Sequence, residues 1–176
     1  EVVARADGAG VEQAAALPVS YGTPHRRLIT HKTGKRGDRV RVLGASGGVG
    51  TGCVMLAKML GAEVIACASS EDKLRRLKEL GADEVVDYTK TDLSTLAVEQ
   101  YGKPKRRSYE GGVVVVVNFT GGDTRLPSLR CLTLGCDPQV SGPVAAHDPT
   151  DDFRCVARRP VQRHGANSMS TDNLHA

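Results

Sequence analysis

A glycine-rich turn is the feature of the sequence best suited to chemistry. Residues 44–50 read Gly-Ala-Ser-Gly-Gly-Val-Gly and directly follow the apolar residues 39–43. Between a strand and a helix, such glycines let the backbone approach a pyrophosphate, while the helix N-terminus supplies free N–H groups and a partial positive charge. Gly47 and Gly48 suit that approach, and Gly50 suits close packing of the helix on the strand. The turn therefore predicts a dinucleotide site.

Two serines and a lysine occur where the adenosine half of a dinucleotide would bind. About 20 residues after the glycine turn, an NAD site usually carries an acidic residue that accepts hydrogen bonds from the ribose hydroxyls. This chain has Ser69 there, followed by Ser70 and Lys73. Without the carboxylate, hydroxyl and ammonium donors favour a 2′-phosphate, and so NADPH rather than NADH. In the alternative interpretation, the two serines only cap a helix and Lys73 faces solvent.

Apolar segments alternate with amphipathic segments around these residues. Aliphatic runs predict strands at residues 39–43, 63–68 and 85–88, and a central strand in the five valines at 113–117. Apolar residues at helical spacing predict helices at residues 50–60, 70–80 and 94–100. This alternation predicts right-handed crossovers, and therefore an α/β fold with a doubly wound parallel sheet, the Rossmann fold, flanked by helices.

The two ends of the chain are patterned less clearly. An Ala-rich helical turn is expected to end at Pro18, and residues 21–24 are expected to break the chain before a second helical stretch through Leu28 and Ile29. After residue 134 the strand pattern weakens, which predicts a poorly patterned C-terminal quarter. The expected domains are lead-in helices at 1–36, the dinucleotide-binding domain at 37–145 and a remnant of the following segment at 146–176.

Composition excludes several other classes of protein. The 176 residues include 40% apolar and 25% charged residues, with a net charge of +4, and no apolar run approaches the roughly 20 residues of a membrane span. Five cysteines without a Cys-x-x-Cys pair and scattered histidines predict reduced thiols, no metal site and a cytoplasmic protein. The basic residues at 103–107 favour a solvated loop over a nucleic-acid interface.

Several motifs in order resemble one dehydrogenase superfamily. They are Ala-Ala-Ala-Leu-Pro-Val-Ser-Tyr-Gly-Thr at 14–23, Gly-Asp-Arg-Val at 37–40, the glycine turn, Leu-Gly-Ala-Asp at 80–83 and Asp-Tyr at 87–88. Together they resemble the cofactor-binding half of the medium-chain dehydrogenase/reductases, in the quinone oxidoreductase-like or zinc-binding dehydrogenase group. In that family a separate domain supplies most of the substrate pocket, so the chain resembles a truncated member.

The resemblance implies a set of cofactor-binding residues. It places Thr23 near the nicotinamide, residues 46–49 on the pyrophosphate, and Ser69 and Lys73 on the adenosine ribose or its phosphate. Tyr88 would lie by the adenine end. At the carboxyl ends of later strands, two further residues would border the cofactor. The complete set is Thr23, Ser46, Gly47, Gly48, Val49, Ser69, Lys73, Tyr88, Asn118 and Gly142.

The resemblance also implies an activity. It predicts an NADPH-dependent oxidoreductase that transfers hydride from the nicotinamide to a carbonyl, enone or quinone, with no catalytic residue identified in this chain. The predicted partners are the dinucleotide and a small-molecule substrate, and a homodimer is compatible with the family. The alternative is a non-catalytic dinucleotide-binding fragment that lacks the substrate domain.

Overall fold

A four-stranded parallel sheet forms the centre of the protein. The computed structural model describes residues 8, 10–30, 35–104 and 111–133. The strands are β1 (Arg39–Leu43), β2 (Glu63–Ala68), β3 (Glu84–Asp87) and β4 (Val115–Asn118). They are arranged in the order β3-β2-β1-β4, with every neighbouring pair parallel. The parallel sheet of the predicted Rossmann fold is therefore confirmed.

Helices cover both faces of the sheet. They are α1 (Val11–His25), which continues into a π-helical turn (Arg26–Thr30), α2 (Gly48–Met59), α3 (Glu71–Glu79), α4 (Leu93–Tyr101) and α5 (Arg125–Arg130), the last preceded by a 3₁₀ turn (Gly122–Thr124). None of the helices in the described ranges combines the length and apolar character that crossing a lipid bilayer requires.

The core is divided into two layers by the alternation of side chains along the strands. Val40 and Val42 of β1 pack with α2 and α3 residues such as Ala57 and Leu77 on one face. Leu43, from the same strand, packs on the other face with residues of α4 and α5. Because side chains alternate along a strand, near-continuous aliphatic sequence is what a sheet buried on both faces needs.

The valine run forms a shorter strand than predicted. β4 covers Val115–Asn118 and pairs with β1 through Val40↔Val115, at one end of the order of the four described strands. Pairing nevertheless continues beyond it, because Val113 forms a parallel bridge with Leu132 on the side away from β1. The valine run therefore pairs on both sides, with β1 on one side and with Leu132 on the other.

The expectation that Pro18 ends a helix is wrong. α1 runs from Val11 to His25 with Pro18 and Pro24 inside it, although each proline removes one backbone donor. The reason is tertiary: α1 lies so close to α2 that a Cβ on Gly52 would overlap the backbone oxygen of Ser20 and lie 3.1 Å from Pro24 Cγ. Packing against α2 maintains a helix that local preference disfavours.

Candidate functional site

The candidate site lies at the carboxyl edge of the sheet, between β1 and β4. β1 leads into the glycine turn and then into α2 on one face. β4 leads into residues 118–124, which begin with its last residue and are here called the rim loop, and then into α5 on the other face. The connections leave neighbouring strands in opposite directions, so this is the switch point of the fold. Ligands of open parallel sheets bind in the crevice at such a point.

Gly44 and Gly50 give the glycine turn its tight path. Gly44 has a φ of 73°, a conformation that favours glycine, and its carbonyl accepts a hydrogen bond of 3.1 Å from the Gly47 N–H. A Cβ on Gly50 would overlap the Gly44 oxygen and lie 2.7 Å from the Cα of Ala45. Gly50 therefore has the packing role that the sequence predicts, since any side chain there would push α2 away from β1.

Gly47 and Gly48 have different surroundings. A Cβ on Gly47 would meet only the Gly44 oxygen, at 3.5 Å, so this position is open to a ligand. A Cβ on Gly48 would instead lie 2.9 Å from the Ser20 hydroxyl oxygen. The space beside Gly48 is thus partly filled by α1, a contact that the sequence analysis did not predict. The i,i+4 spacing of Gly48 and Gly52 is the signal that could have indicated it.

The first turn of α2 can receive an anion. Gly47 occupies the N-cap position and has no side chain with which to accept hydrogen bonds from the first backbone N–H groups. The Thr51 hydroxyl is committed to the helix itself, because it donates to the carbonyl oxygens of Gly47 and Gly48, at 3.1 Å and 2.8 Å. The backbone donors and the positive end of the helix dipole therefore fit a pyrophosphate.

Thr23 lies on α1 and is half-buried. It follows Ser20 by three residues, so the two share the side of the helix that packs toward the start of α2. This position is compatible with the predicted place near the nicotinamide, which stays a prediction.

Three of the residues expected at the adenosine end, Ser69, Ser70 and Lys73, have no side-chain hydrogen bond or ion pair to other described residues. Ser69 and Ser70 are exposed, and Ser70 occupies the N-cap position of α3 without accepting a side-chain cap hydrogen bond. Within the described part of the chain, the Lys73 ammonium has no ion-pair partner. The capping alternative therefore does not account for the hydroxyl of Ser70.

The other cations of α3 have partners in the described structure: Arg75 and Arg76 form ion pairs, and the Lys78 ammonium donates to the Asp83 backbone oxygen. Arg76 Nε lies 3.2 Å from Asp72 Oδ2, and Arg75 Nη2 lies 2.5 Å from Asp72 Oδ1. The hydrogen bond from Arg75, together with the charge of Arg76, lowers the pKa of Asp72. Lys73 is therefore the cation of this helix that is open to a phosphate.

Tyr88 lies beside the end of β2. Its N–H donates to the Ala68 oxygen at 3.3 Å, and its half-buried ring packs against the core layer that includes Val86. Tyr88 is thus next to the strand that leads to Ser69, as the prediction for the adenine end requires. Direct contact with an adenine stays a prediction.

Asn118 is committed to the rim loop. The side chain is buried, and its Oδ1 accepts hydrogen bonds from the N–H groups of Thr120 and Gly121, both at 2.9 Å. Its Nδ2 donates to Thr124 Oγ1 at 3.0 Å and to Ser128 Oγ at 3.1 Å. The last residue predicted for the cofactor, Gly142, lies outside the described residues.

The described cysteines are structural. Cys53 and Cys67 are buried, and burial raises the pKa of each thiol to about 12, so both are protonated thiols at neutral pH. Among the described residues, no group of three His, Cys, Asp or Glu side chains could hold a metal ion.

Comparisons with known proteins agree with this architecture. A family model described as zinc-binding dehydrogenase matches residues 48–161. Quinone oxidoreductase-like protein 2 of Bos taurus is 36% identical over 123 residues, which cover 69% of this chain and 33% of that protein. The 2-methylene-furan-3-one reductase of Solanum lycopersicum is 40% identical over 116 residues, which cover 60% of this chain and 29% of that protein.

Solved structures show the same fold. An NAD-dependent alcohol dehydrogenase has a TM-score of 0.81 and 32% sequence identity, covering 95% of this chain and 47% of that one. The quinone oxidoreductase of Pseudomonas syringae pv. Tomato DC3000 has a TM-score of 0.76 and 30% identity, covering 94% of this chain and 49% of that one.

The strand order and the glycine turn define a Rossmann domain of the dinucleotide-binding type. The chain belongs to the zinc-binding dehydrogenase family of the medium-chain dehydrogenase/reductases, which are oxidoreductases that use a nicotinamide dinucleotide. The chain spans about a third of the length of the two relatives named above and about half of the two solved structures. The side chains of the described residues do not form a zinc site.

Proposed function

We propose that this chain binds NADPH in the crevice between β1 and β4 as the cofactor half of a reductase. The proposal rests on Ser69, Ser70 and Lys73, which follow β2: their donors have no partner in the described ranges, and no acidic residue occupies the first of these positions. Hydroxyl and ammonium groups favour a 2′-phosphate, whereas a carboxylate would repel it.

Each predicted residue has a role in this proposal. Backbone groups of residues 46–49 bind the pyrophosphate, Ser69 and Lys73 bind the 2′-phosphate, and Tyr88 lies against the adenine. Thr23, Asn118 and Gly142 border the nicotinamide half. The bound dinucleotide supplies a hydride from C4 of the nicotinamide, and the protein orients it.

The proposed acceptor is an electron-poor carbonyl, enone or quinone. Support comes from two relatives whose names identify a quinone oxidoreductase-like protein and a furanone reductase. The chain spans about a third of these two relatives, so the acceptor is proposed from their names. Reduction requires a proton as well as a hydride, and we assign no residue of this chain as its donor.

A direct test is titration with NADPH and NADH, followed by nicotinamide fluorescence. NADH must be included because one structural relative is named NAD-dependent. We expect NADPH to bind with a submillimolar Kd and more tightly than NADH. Failure of both dinucleotides to bind below millimolar concentration would overturn the proposal.

The 2′-phosphate has its own test in Lys73→Ala. This substitution removes a cation without disturbing a described ion pair, so the Kd for NADPH should rise roughly tenfold while that for NADH stays unchanged. Lys35→Ala is the matched control, because Lys35 is an exposed lysine that precedes β1 at the opposite edge. Equal losses for NADPH and NADH would contradict the phosphate assignment.

A second candidate function is dinucleotide binding without turnover. It requires only the residues proposed to bind the cofactor, since no residue of this chain is assigned as a proton donor. An assay of NADPH oxidation with a simple quinone distinguishes the two functions. Binding without oxidation would support the non-catalytic module. The cytoplasmic location and the homodimer stay predictions, to be tested by cell fractionation and by light scattering.

A further inference from the structure

A closed set of hydrogen bonds holds the rim loop in one conformation. Besides the four bonds of the Asn118 amide, Thr124 Oγ1 donates to the Gly121 oxygen at 2.8 Å, and Ser128 Oγ donates to the Thr124 oxygen at 2.6 Å. Gly121 has a φ of 68°, in the region that favours glycine. These bonds tie the rim loop to the first turn of α5.

The conformation brings Thr120 to the glycine turn. A Cβ on Gly44 would lie 3.4 Å from both Thr120 Oγ1 and Phe119 Cβ, so the two loops meet across the crevice. The Phe119 N–H also donates to the Leu43 oxygen at 3.2 Å, which extends the β1–β4 pairing up to the loop. Thr120 is therefore the rim-loop side chain that borders the turn expected to bind the pyrophosphate.

The Thr120 hydroxyl has no hydrogen-bond partner among the described residues, whereas the side chains of Asn118, Thr124 and Ser128 are hydrogen-bonded. The residue is half-buried, its N–H is bound by Asn118, and in the described ranges its Oγ1 has no hydrogen-bond partner. A hydroxyl can donate one hydrogen bond and accept two, which suits the oxygen atoms of ribose and phosphate. Its position is fixed by the backbone rather than by its own side chain.

We propose that Thr120 is a further dinucleotide-binding residue and that Asn118 is a positioning residue that acts through it. The Thr120 hydroxyl bonds an oxygen of the ribose–pyrophosphate backbone where the ligand crosses the glycine turn. Asn118 holds the N–H of Thr120 so that the hydroxyl faces the crevice. This inference rests on the proposed function. Because NADPH and NADH share that backbone, Thr120 contributes equally to both.

Thr120→Val tests the hydroxyl, because valine keeps the branched shape and removes the donor. We expect the Kd for NADPH and for NADH to rise together by about three- to tenfold. Thr120→Ser, which retains the hydroxyl, should stay within about twofold of the unaltered chain. Thr95→Val is the control, since Thr95 is exposed on α4, which packs on the far face from α2. Unchanged affinities in Thr120→Val would overturn the inference.

Asn118 is tested by whether its effect passes through Thr120. Asn118→Ala should weaken both dinucleotides, and Thr120→Val should have little further effect in that background, so the two losses are not additive. Asn118→Asp should bind more tightly than Asn118→Ala, because a carboxylate accepts the same two N–H groups, and the hydroxyls of Thr124 and Ser128 can donate to it by turning from the Gly121 and Thr124 oxygens. Additive losses, or no advantage of Asn118→Asp over Asn118→Ala, would overturn the positioning role.

Thermal unfolding of each variant identifies those that fail to fold, and Thr120→Val and Thr120→Ser carry the test if Asn118→Ala is among them. Absence of binding by the unaltered chain would overturn the proposed function and this inference with it. Binding by the unaltered chain that Thr120→Val leaves unchanged would overturn this inference alone.

Discussion

Polar side chains at the two ends of the parallel strands differ in their hydrogen bonding. At the amino edge, Glu84 accepts hydrogen bonds from Gln100 Nε2 at 2.6 Å and from the Tyr101 hydroxyl at 2.8 Å, and the Arg39 guanidinium lies 4.6 Å from the centre of the Tyr101 ring. At the carboxyl edge, Lys73 and the Thr120 hydroxyl have no such partners in the described part of the chain. One edge stabilises the scaffold and the other is open to a ligand.

This difference between the two edges of the sheet indicates where a ligand would bind. Buried and half-buried polar groups are normally hydrogen-bonded, so the unpartnered hydroxyl of the half-buried Thr120 points to a ligand, whereas the exposed ammonium of Lys73 is simply open to one. Substitutions at the amino edge should change stability and leave dinucleotide affinity unaltered. Substitutions of the open donors should do the reverse. Only groups that shape the crevice itself should change both properties.

The largest expected effect is that of Gly50→Val. The added side chain overlaps the Gly44 oxygen and crowds Ala45, so the free energy of unfolding should fall by about 3 kcal/mol and dinucleotide binding should be lost. Urea unfolding and fluorescence titration measure the two effects. Gly47→Ala is the control, since its nearest contact is 3.5 Å away, and it should cost about 1 kcal/mol or less. Equal losses of stability in the two variants would contradict the assigned geometry.

Arg41→Met should have a smaller effect, of opposite sign. Arg41 is fully buried in β1, donates from Nη1 to the Leu93 oxygen and to Cys131 Sγ, both at 3.0 Å, and leaves Nε and Nη2 without partners in the described structure. Replacing a poorly compensated buried charge by an apolar side chain should raise the free energy of unfolding by roughly 1–3 kcal/mol. Dinucleotide affinity should not change.

Arg39→Met is the comparison for this prediction, because Arg39 is partly exposed and stacks on Tyr101. It should lower stability by about 0.5–1 kcal/mol. Destabilisation of similar size in both variants would show that further interactions offset the cost of burying the Arg41 charge.

Asp83→Ala should have a smaller effect than Gly50→Val. Asp83 accepts hydrogen bonds from the Lys58 ammonium at 2.7 Å and 2.8 Å and from the Val64 N–H at 2.7 Å. Partial burial raises its pKa, but these hydrogen bonds outweigh burial and the pKa is lowered. Because the side chain is 39% exposed, the loss at neutral pH should be about 1 kcal/mol.

The pH dependence of this loss has a definite sign. A carboxyl group whose pKa is lowered by folding stabilises the protein above its unfolded pKa of about 4. The difference between the unaltered chain and Asp83→Ala should therefore persist at neutral pH and disappear as the pH falls through the lowered folded value. Chemical unfolding at a series of pH values measures it. A difference that increases toward acid would contradict the assignment.

The strands of the sheet could be predicted from the sequence because each strand is a short run of aliphatic residues. Residues 39–43 and 63–68 are aliphatic runs that cannot be solvated without cost, and β1 and β2 occupy those ranges. Pro18 was misjudged because its local preference is overridden by packing of α1 on α2, between segments distant in sequence. The residues of α1 alone therefore do not predict its contact with α2.

The site was predictable only in part, for the same reason. The glycine turn and Ser69 are recognised by their order along the chain. Ser20 and Thr120 become candidates only when folding brings them to Gly48 and Gly44, which are 28 and 76 residues away in sequence. The sequence predicts that Asn118 lies at the carboxyl edge, where the structure has it. The hydrogen bonds from the N–H groups of Thr120 and Gly121 to its side chain are visible only in the folded structure.

Mapping NADPH binding by amide chemical shifts tests the difference between the two edges most directly. During titration, ¹H–¹⁵N correlation spectra should show the largest changes at Gly47, Gly48, Ser69, Lys73 and Thr120. The amide signals of Asp38, Glu84, Gln100 and Tyr101, at the amino edge, should not move. Changes concentrated at the amino edge, with the glycine turn and Ser69 unaffected, would contradict the account.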